Sequence, residues 1–416
     1  MDGRRHGIQP MNRIGVLHIG KFYPPYAGGI ERSSADLCGA LAARGVGVAM
    51  LAHAAPGAPA RSYNSDDVQV MLAACHGQLL YAPISPGFPL LLQRLIAQHR
   101  PDLLHLHLPN VSAFWALLSP AARRLPWVVH WHADVPLDVS RRGVRAMYRL
   151  YRPFEQALLR RARAVIATSE PYRNSSAALS DWLGKTTVIP LGLAADSAIT
   201  SDSAVRDAAA MAPAPALWPN SDNTNLRVLA VGRLSYYKGF DVLLRAIAQV
   251  PTASLLLIGS GECEAQLKTL ARKLDIESRV RFAGHVDDAT LALAYRDAQL
   301  FCLPSIERTE AFGMVLLEAM RTRLPVVASA IPGSGVNYVV ADGDSGLLVA
   351  PGDADALARA LARLASDADL RARLGTGGEM RWRREFTLDR CADRVLDLYR
   401  SIVPETGHRA AAAPPG

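Results

Sequence analysis

Short apolar runs separated by helical patterns recur along almost the whole chain, and this alternation constrains its fold more than any other feature. In the first half, Ile14 to Ile19 reads as a strand, Ile30 to Arg44 as a helix and Val46 to Ala52 as the next strand. Further strands follow at Leu103 to Leu108, Trp127 to Trp131 and Ala164 to Thr168, with helices between them. Strands that alternate with helices pair in parallel, because the crossover helix returns the chain to the same edge and covers a face of the sheet. The pattern dissolves from Ala194 to Asn225 into Ala, Ser, Asp, Pro and Asn, the composition of a surface linker. It restarts with strands at Arg227 to Val231, Ser254 to Ile258, Val280 to Ala283, Leu300 to Leu303 and Val326 to Ala328. An amphipathic stretch, Leu388 to Ile402, ends the folded chain, and Gly407 to Gly416 reads as a frayed tail.

The expected organisation is an α/β chain of two doubly wound parallel-sheet domains: 1–195, a linker at 196–225, 226–385, a C-terminal helix at 386–405 returning to the first domain, and a tail at 406–416. A length of 416 residues exceeds what one core usually supports. Half the residues are apolar and a fifth charged, so a well-filled soluble core is expected and disorder is excluded for most of the chain. The 46 Lys and Arg against 38 Asp and Glu give +8, which favours anionic partners without singling out nucleic acid. Five scattered cysteines, odd in number and without a CxxC pair, indicate neither a disulfide framework nor a zinc site. Together with the missing signal-peptide core and the lack of any apolar run of about 20 residues, they point to the cytoplasm, with any membrane contact peripheral.

Chemistry concentrates in loops at the carboxyl ends of the strands, where open α/β sheets bind ligands. The run Pro304 to Met320 crosses from a buried strand to a helix at Gly313 and sets Glu310 and Glu318 eight positions apart. Eight residues along a helix amount to a net rotation of about 80°, which would leave both carboxylates on one side to grip separate hydroxyls of a long polar ligand. Gly28 and Gly29, before the first helix, either bring main-chain N–H groups close to an anion or simply make a tight turn. Gly232, Arg233 and Lys238 follow the first strand of the second half; the two cations either neutralise a diphosphate or are solvated surface charges. Gly259 and Gly261 repeat the loop after the next strand and add bare main chain against which a nucleotide could lie.

His105 and His107 alternate along one strand, and His130 and His132 along another, so each pair shares a face. A metal site and buried histidines satisfied by their neighbours are the two readings, and the second is expected. His132 ends its strand, followed by Ala133 and Asp134, where its imidazole could meet a sugar hydroxyl.

In their order along the chain these motifs resemble the retaining glycosyltransferases of family 4, which have the GT-B architecture: two facing Rossmann-like domains with a cleft between them. The resemblance spans residues 12–402 and is most specific at Glu310 and Glu318, supported by Gly28 and Gly29, His132, Gly232 and Arg233 with Lys238, and the run Asp342 to Val349. It implies that Arg233 and Lys238 bind the donor diphosphate, that Glu318 binds the ribose and that Glu310 holds the sugar hydroxyls. The Phe312 and Gly313 main chain, with Met314 and Val315 beside it, would touch sugar or phosphate, and His132 and Asp134 would approach the sugar from the other domain. It implies no cofactor and no metal, Asp342 to Asp344 being a turn. One departure is Asn337, where many relatives carry a glutamate.

The openings His18 to Pro25 and His130 to Asp134 resemble a bacterial subgroup that adds mannose or rhamnose to lipid-carried surface polysaccharide. The implied partners are a nucleotide diphosphate sugar, GDP-mannose among the candidates, and a glycan or polyprenyl-linked acceptor, with no nucleic acid. The arginine-rich segment Arg141 to Arg163 reads either as a basic amphipathic helix on the inner face of the plasma membrane or as a solvated face. Two other functions fit the same architecture: a sugar-nucleotide 2-epimerase, and an inactive nucleotide-sugar-binding protein.

Overall fold

The computed structural model describes residues 13–26, 28–79, 82–135, 142–195, 217–219 and 226–403, and the side chains of 142–146 are outside that description. The expected linker at 196–225, but for 217–219, and the tail at 406–416 lie outside the described residues, as does Arg141. Two compact units emerge: residues 1–166 with 184–187 and 392–416, and residues 167–183 with 188–391.

The first unit is built on a sheet of eight strands: β1 (Gly15–Phe22), β2 (Gly47–His53), β3 (Arg61–Ser65), β4 (Val68–Ala73), β7 (Leu103–Leu108), β8 (Trp127–Trp131), β9 (Ala164–Ala167) and β10 (Thr186–Val188). A two-stranded pair, β5 (Gln78–Leu79) and β6 (Ala82–Pro83), stands apart. The order is β10-β9-β8-β7-β1-β2-β4-β3. Strands β1, β2, β4, β7 and β8 pair in parallel, and β3 pairs antiparallel with β4. Every residue of β7 and β8 is buried, as expected of strands covered on both faces, and the burial includes three histidines.

The β3–β4 hairpin was not legible as strands, because the edge strand Arg61-Ser62-Tyr63-Asn64-Ser65 is polar and largely exposed. Edge strands are blunted in this way, which removes the apolar signal that marks a strand in sequence.

The second unit carries six parallel strands, β11 (Leu226–Val231), β12 (Ala253–Ile258), β13 (Val280–Gly284), β14 (Leu300–Leu303), β15 (Val326–Ser329) and β16 (Leu347–Val349). Their order, β13-β12-β11-β14-β15-β16, is the doubly wound arrangement, and it reverses direction between β11 and β14. One face packs the helices Phe240–Gln249 and Ala354–Ser366, through Leu243, Leu244, Ile247, Leu357 and Leu361. The other buries Leu316, Leu317 and Met320 of the helix Met314–Arg321 with Trp382 and Phe386. Capping carboxylates start the last long helices: Asp353 accepts from the Ala356 N–H and Asp367 from the Leu370 N–H, each at 2.8 Å.

Candidate active site

At the switch point of the second unit, the loops leaving β11 and β14 converge. Gly239 makes this possible. It adopts φ 65°, and a Cβ there would lie 2.2 Å from the carbonyl oxygen of Pro304, so only glycine lets the β11 loop press on the β14 loop. Lys238 just before it and Glu310 beyond Pro304 then meet, Nζ to Oε2 at 2.5 Å, with both side chains about 10% exposed. The same Oε2 accepts from Ser305 Oγ at 2.9 Å, and Ser334 Oγ donates to the Glu310 carbonyl. Burial alone would depress the Lys238 ammonium, but the adjacent carboxylate outweighs it and holds the group above the usual lysine range.

Gly232, Gly259 and Gly261 bring the ends of β11 and β12 into main-chain contact. The Gly232 N–H donates to the Ile258 carbonyl at 2.9 Å, and a Cβ on Gly259, at φ 134°, would lie 2.0 Å from the Gly232 carbonyl oxygen. Arg233 stands apart from Lys238 in its pairing: its guanidinium lies 3.4 Å from Glu262, and both side chains are more than half exposed.

Gly313, at φ 84°, caps the helix that begins at Met314, so Glu310 lies before the helix. The helical rotation expected between Glu310 and Glu318 therefore does not relate them; the turn at Gly313 does. Glu318 sits on the helix, buried, and accepts from Tyr295 Oη at 2.7 Å. Phe312 turns its ring into the core against Phe386, while Met314 and Val315 are half-buried. Asn337 donates to the Ile331 carbonyl at 3.1 Å, and Asp342 accepts from the Leu348 N–H at 2.8 Å, closing its turn.

In the first unit, Gly28 and Gly29 open the helix Gly29–Ala43 and are exposed. Its first turn carries Glu31, whose carboxylate lies where a Gly28 Cβ would be, and which competes with any anion for the positive end of the helix.

Register puts five histidines on one face. His18 pairs with His105 across β1 and β7, His107 pairs with His130 across β7 and β8, and His132 lies two residues on. All are buried, with imidazoles driven below the ordinary range by desolvation, His18 and His132 to about 3. Two triplets, His18 with His105 and His107, and His107 with His130 and His132, hold ring nitrogens within 4.8 Å of one another, close enough for a metal. His130 stacks on His132 at 4.1 Å and 16°, so the in-plane lone pairs of those two rings run side by side and do not converge on one ion, while nitrogens of His18 and His107, of His105 and His130, and of His107 and His132 bond to one another. Asp134 accepts from Trp131 Nε1 at 2.9 Å.

Several residues of these sites were not legible in sequence. Ser305 and Tyr295 are ordinary loop and helix residues until the fold brings them to Glu310 and Glu318. Tyr399, on the helix Leu388–Ile402, reaches the histidines from far along the chain. Glu155, inside the arginine-rich helix Arg142–Arg161, is buried with Tyr148 Oη donating to it at 2.9 Å, and desolvation lifts its carboxyl to about 7. Its only signal was an acid within a basic run.

Residues 28–192 match the family described as Glycosyl transferase 4-like domain, and residues 219–381 match Glycosyl transferases group 1. The chain is 28% identical over 393 residues to the O-antigen chain mannosyltransferase C of Escherichia coli, covering 93% of this chain and 98% of that one. It is 31% identical over 368 residues to the phosphatidyl-myo-inositol mannosyltransferase of Mycolicibacterium smegmatis, covering 86% of each. Among solved structures it is similar to the sucrose-phosphate synthase of Thermosynechococcus elongatus, with a TM-score of 0.74, 28% identity, and coverage of 94% of this chain and 99% of that one. The relatives are transferases, which favours transfer over epimerisation.

Proposed function

The chain belongs to the glycosyltransferases of group 1, and from that premise we propose that it transfers a mannose- or rhamnose-type hexose from a nucleotide diphosphate sugar, with retention of anomeric configuration. The acceptor is a glycan or polyprenyl-linked intermediate of a bacterial surface polysaccharide. The observation that carries this reading is the buried Lys238–Glu310 pair on the two loops of the switch point. An ammonium held charged beside a carboxylate supplies both signs that a sugar diphosphate needs, a cation for the leaving phosphate and an acceptor for sugar hydroxyls.

In this reading the second domain binds the donor. Lys238 and Arg233 take the diphosphate charge as it develops, where fixed electrostatics act most strongly. Glu318 holds the ribose, and Glu310 orients the sugar. The first domain binds the acceptor and presents His132 and Asp134 to the sugar. The acceptor hydroxyl attacks the face from which the nucleotide departs, and the leaving phosphate receives its proton. No divalent metal and no cofactor are required, because the two cations carry the charge.

The basic helix supports peripheral docking on anionic membrane at the cytoplasmic face. Met147, Leu150 and Phe154 expose 37%, 73% and 50% of their surface at helical spacing, on the same helix as the exposed Arg149 and Arg152. No helix among the described residues is long and apolar enough to cross a membrane.

The test is incubation of purified protein with GDP-mannose or other nucleotide sugars and a lipid-linked acceptor in the presence of a chelator. Nucleotide release with a retained anomeric linkage in the product, read by NMR, is expected, together with its loss in Glu310→Ala. Epimerised donor without transfer, full turnover in Glu310→Ala, or complete dependence on added metal would overturn the corresponding part.

A further inference from the structure

The five buried histidines form a branched hydrogen-bonded relay with Tyr399 at its root. On one branch Tyr399 Oη contacts His105 Nδ1, and His105 Nε2 lies 3.2 Å from His130 Nδ1. On the other, Tyr399 Oη lies 3.4 Å from His18 Nε2, His18 Nδ1 lies 3.0 Å from His107 Nε2, and His107 Nδ1 lies 2.9 Å from His132 Nε2. The branches end on two buried ring atoms without a partner, His130 Nε2 and His132 Nδ1.

A neutral imidazole has one donor and one acceptor nitrogen, so fixing the proton at the root fixes it along each branch. The phenol is a stronger acid than an imidazole N–H, so at the closest contact Tyr399 O–H donates to His105 Nδ1. Its oxygen then accepts from His18 Nε2–H. Followed outwards, every ring carries its proton on Nε2: His105 donates to His130, His107 donates to His18, and His132 donates to His107. Ser34 Oγ lies 3.2 Å from His107 Nδ1 but donates to the Ile30 carbonyl at 2.7 Å, which leaves the single lone pair of Nδ1 to His132 Nε2–H. Desolvation of the whole stack keeps the rings neutral, as the assignment requires.

We propose that Tyr399 sets one shared tautomer, Nε2–H, in His18, His105, His107, His130 and His132, and thereby presents His132 Nδ1 as a bare acceptor for a hydroxyl group of the ligand. Tyr399, His18 and His107 are positioning residues that act through His132. That the hydroxyl belongs to the sugar rests on the function proposed above; the tautomer assignment does not.

Removing the root predicts an asymmetric outcome. In Tyr399→Phe, His18 Nε2–H would become a second buried donor without an acceptor, beside His130 Nε2–H, and such orphans are rarer than unsatisfied acceptors. Reversing that branch moves the orphan to His132 Nδ1, on the least buried of its rings. His18, His107 and His132 then become Nδ1–H tautomers, while His105 and His130 keep Nε2–H.

The experiment is nitrogen-15 NMR of histidine-labelled full-length protein, wild type and Tyr399→Phe, reading the protonated and bare ring nitrogens of each histidine. The expected result is five Nε2–H rings in the wild type and reversal of three in the variant. A mixture of tautomers in the wild type overturns the proposal, as does a His132 tautomer unmoved in a folded variant. If Tyr399→Phe does not fold, the wild-type spectrum alone decides. The predicted tautomers without any transferase activity would sink the functional reading and leave the relay standing; transfer with other tautomers would do the reverse.

Discussion

Lys238 Nζ lies 2.5 Å from Glu310 Oε2, joining the loops that leave β11 and β14 across 72 residues of sequence. Neither charge has water enough to stand alone, and the hydroxyl of Ser305 completes the cage around the carboxylate. The pair therefore ties the geometry of the donor loops to the stability of the second unit.

Lys238→Ala should cost about 3–5 kcal/mol in urea unfolding, because it strands a buried carboxylate. The double change Lys238→Met with Glu310→Leu should recover most of that loss while remaining unable to bind donor. A single variant as stable as wild type would show that the pair is not buried in solution.

Arg233→Ala should leave stability within about 0.5 kcal/mol, since its pairing with Glu262 is solvent-exposed. Donor affinity measured by calorimetry should nevertheless fall about tenfold, the weight of one charge-assisted bond to phosphate. Glu262→Ala should not weaken the donor, because it frees the guanidinium. Equal losses in the two variants would remove the phosphate role.

The histidine stack makes the first unit acid-labile. Its folded-state pKa values lie below the ordinary value near 6.5, at about 3 for His18 and His132. The unfolded chain thus takes up protons first, and stability is lost as pH falls below 6.5, by up to about 1.4 kcal/mol per unit for each ring. Denaturant titrations from pH 7.5 to 5.5 should show a fall of several kcal/mol. A flat profile would mean that the rings are accessible to protons in the folded state.

Glu155 acts in the opposite sense. Burial raises its carboxyl to about 7, so the folded protein favours the protonated form, and stability declines as pH rises from 4.5 towards 7. Glu155→Gln should remove that decline, gaining on the order of 3 kcal/mol at pH 8 and little at pH 4.5. A melting-temperature difference between the two proteins that does not grow across this window would refute the assignment. Five rings outweigh one carboxyl, so the wild type should still lose stability on acidification.

Much of the fold was legible because its signals are local. Leu103–Leu108, Trp127–Trp131, Leu300–Leu303 and Leu388–Ile402 have the bounds their apolar spacing predicts. Where the signal was weak, as in the polar β3 and the three-residue β16, the strands went unseen. The candidate residues could be named individually, since glycine turns and charged loop residues mark the carboxyl ends of strands.

What the chain determines by itself is therefore the alternation of strands and helices, the turns, and which residue types stand at the strand ends, since each follows from spacing of a few residues. Only the tertiary structure decided that Lys238 meets Glu310 while Arg233 meets Glu262, that His18 joins the other four histidines, and that Tyr399 anchors them. Strand order and register select those partners, and both are set by burying whole faces of a sheet at once, a condition no short stretch of sequence contains.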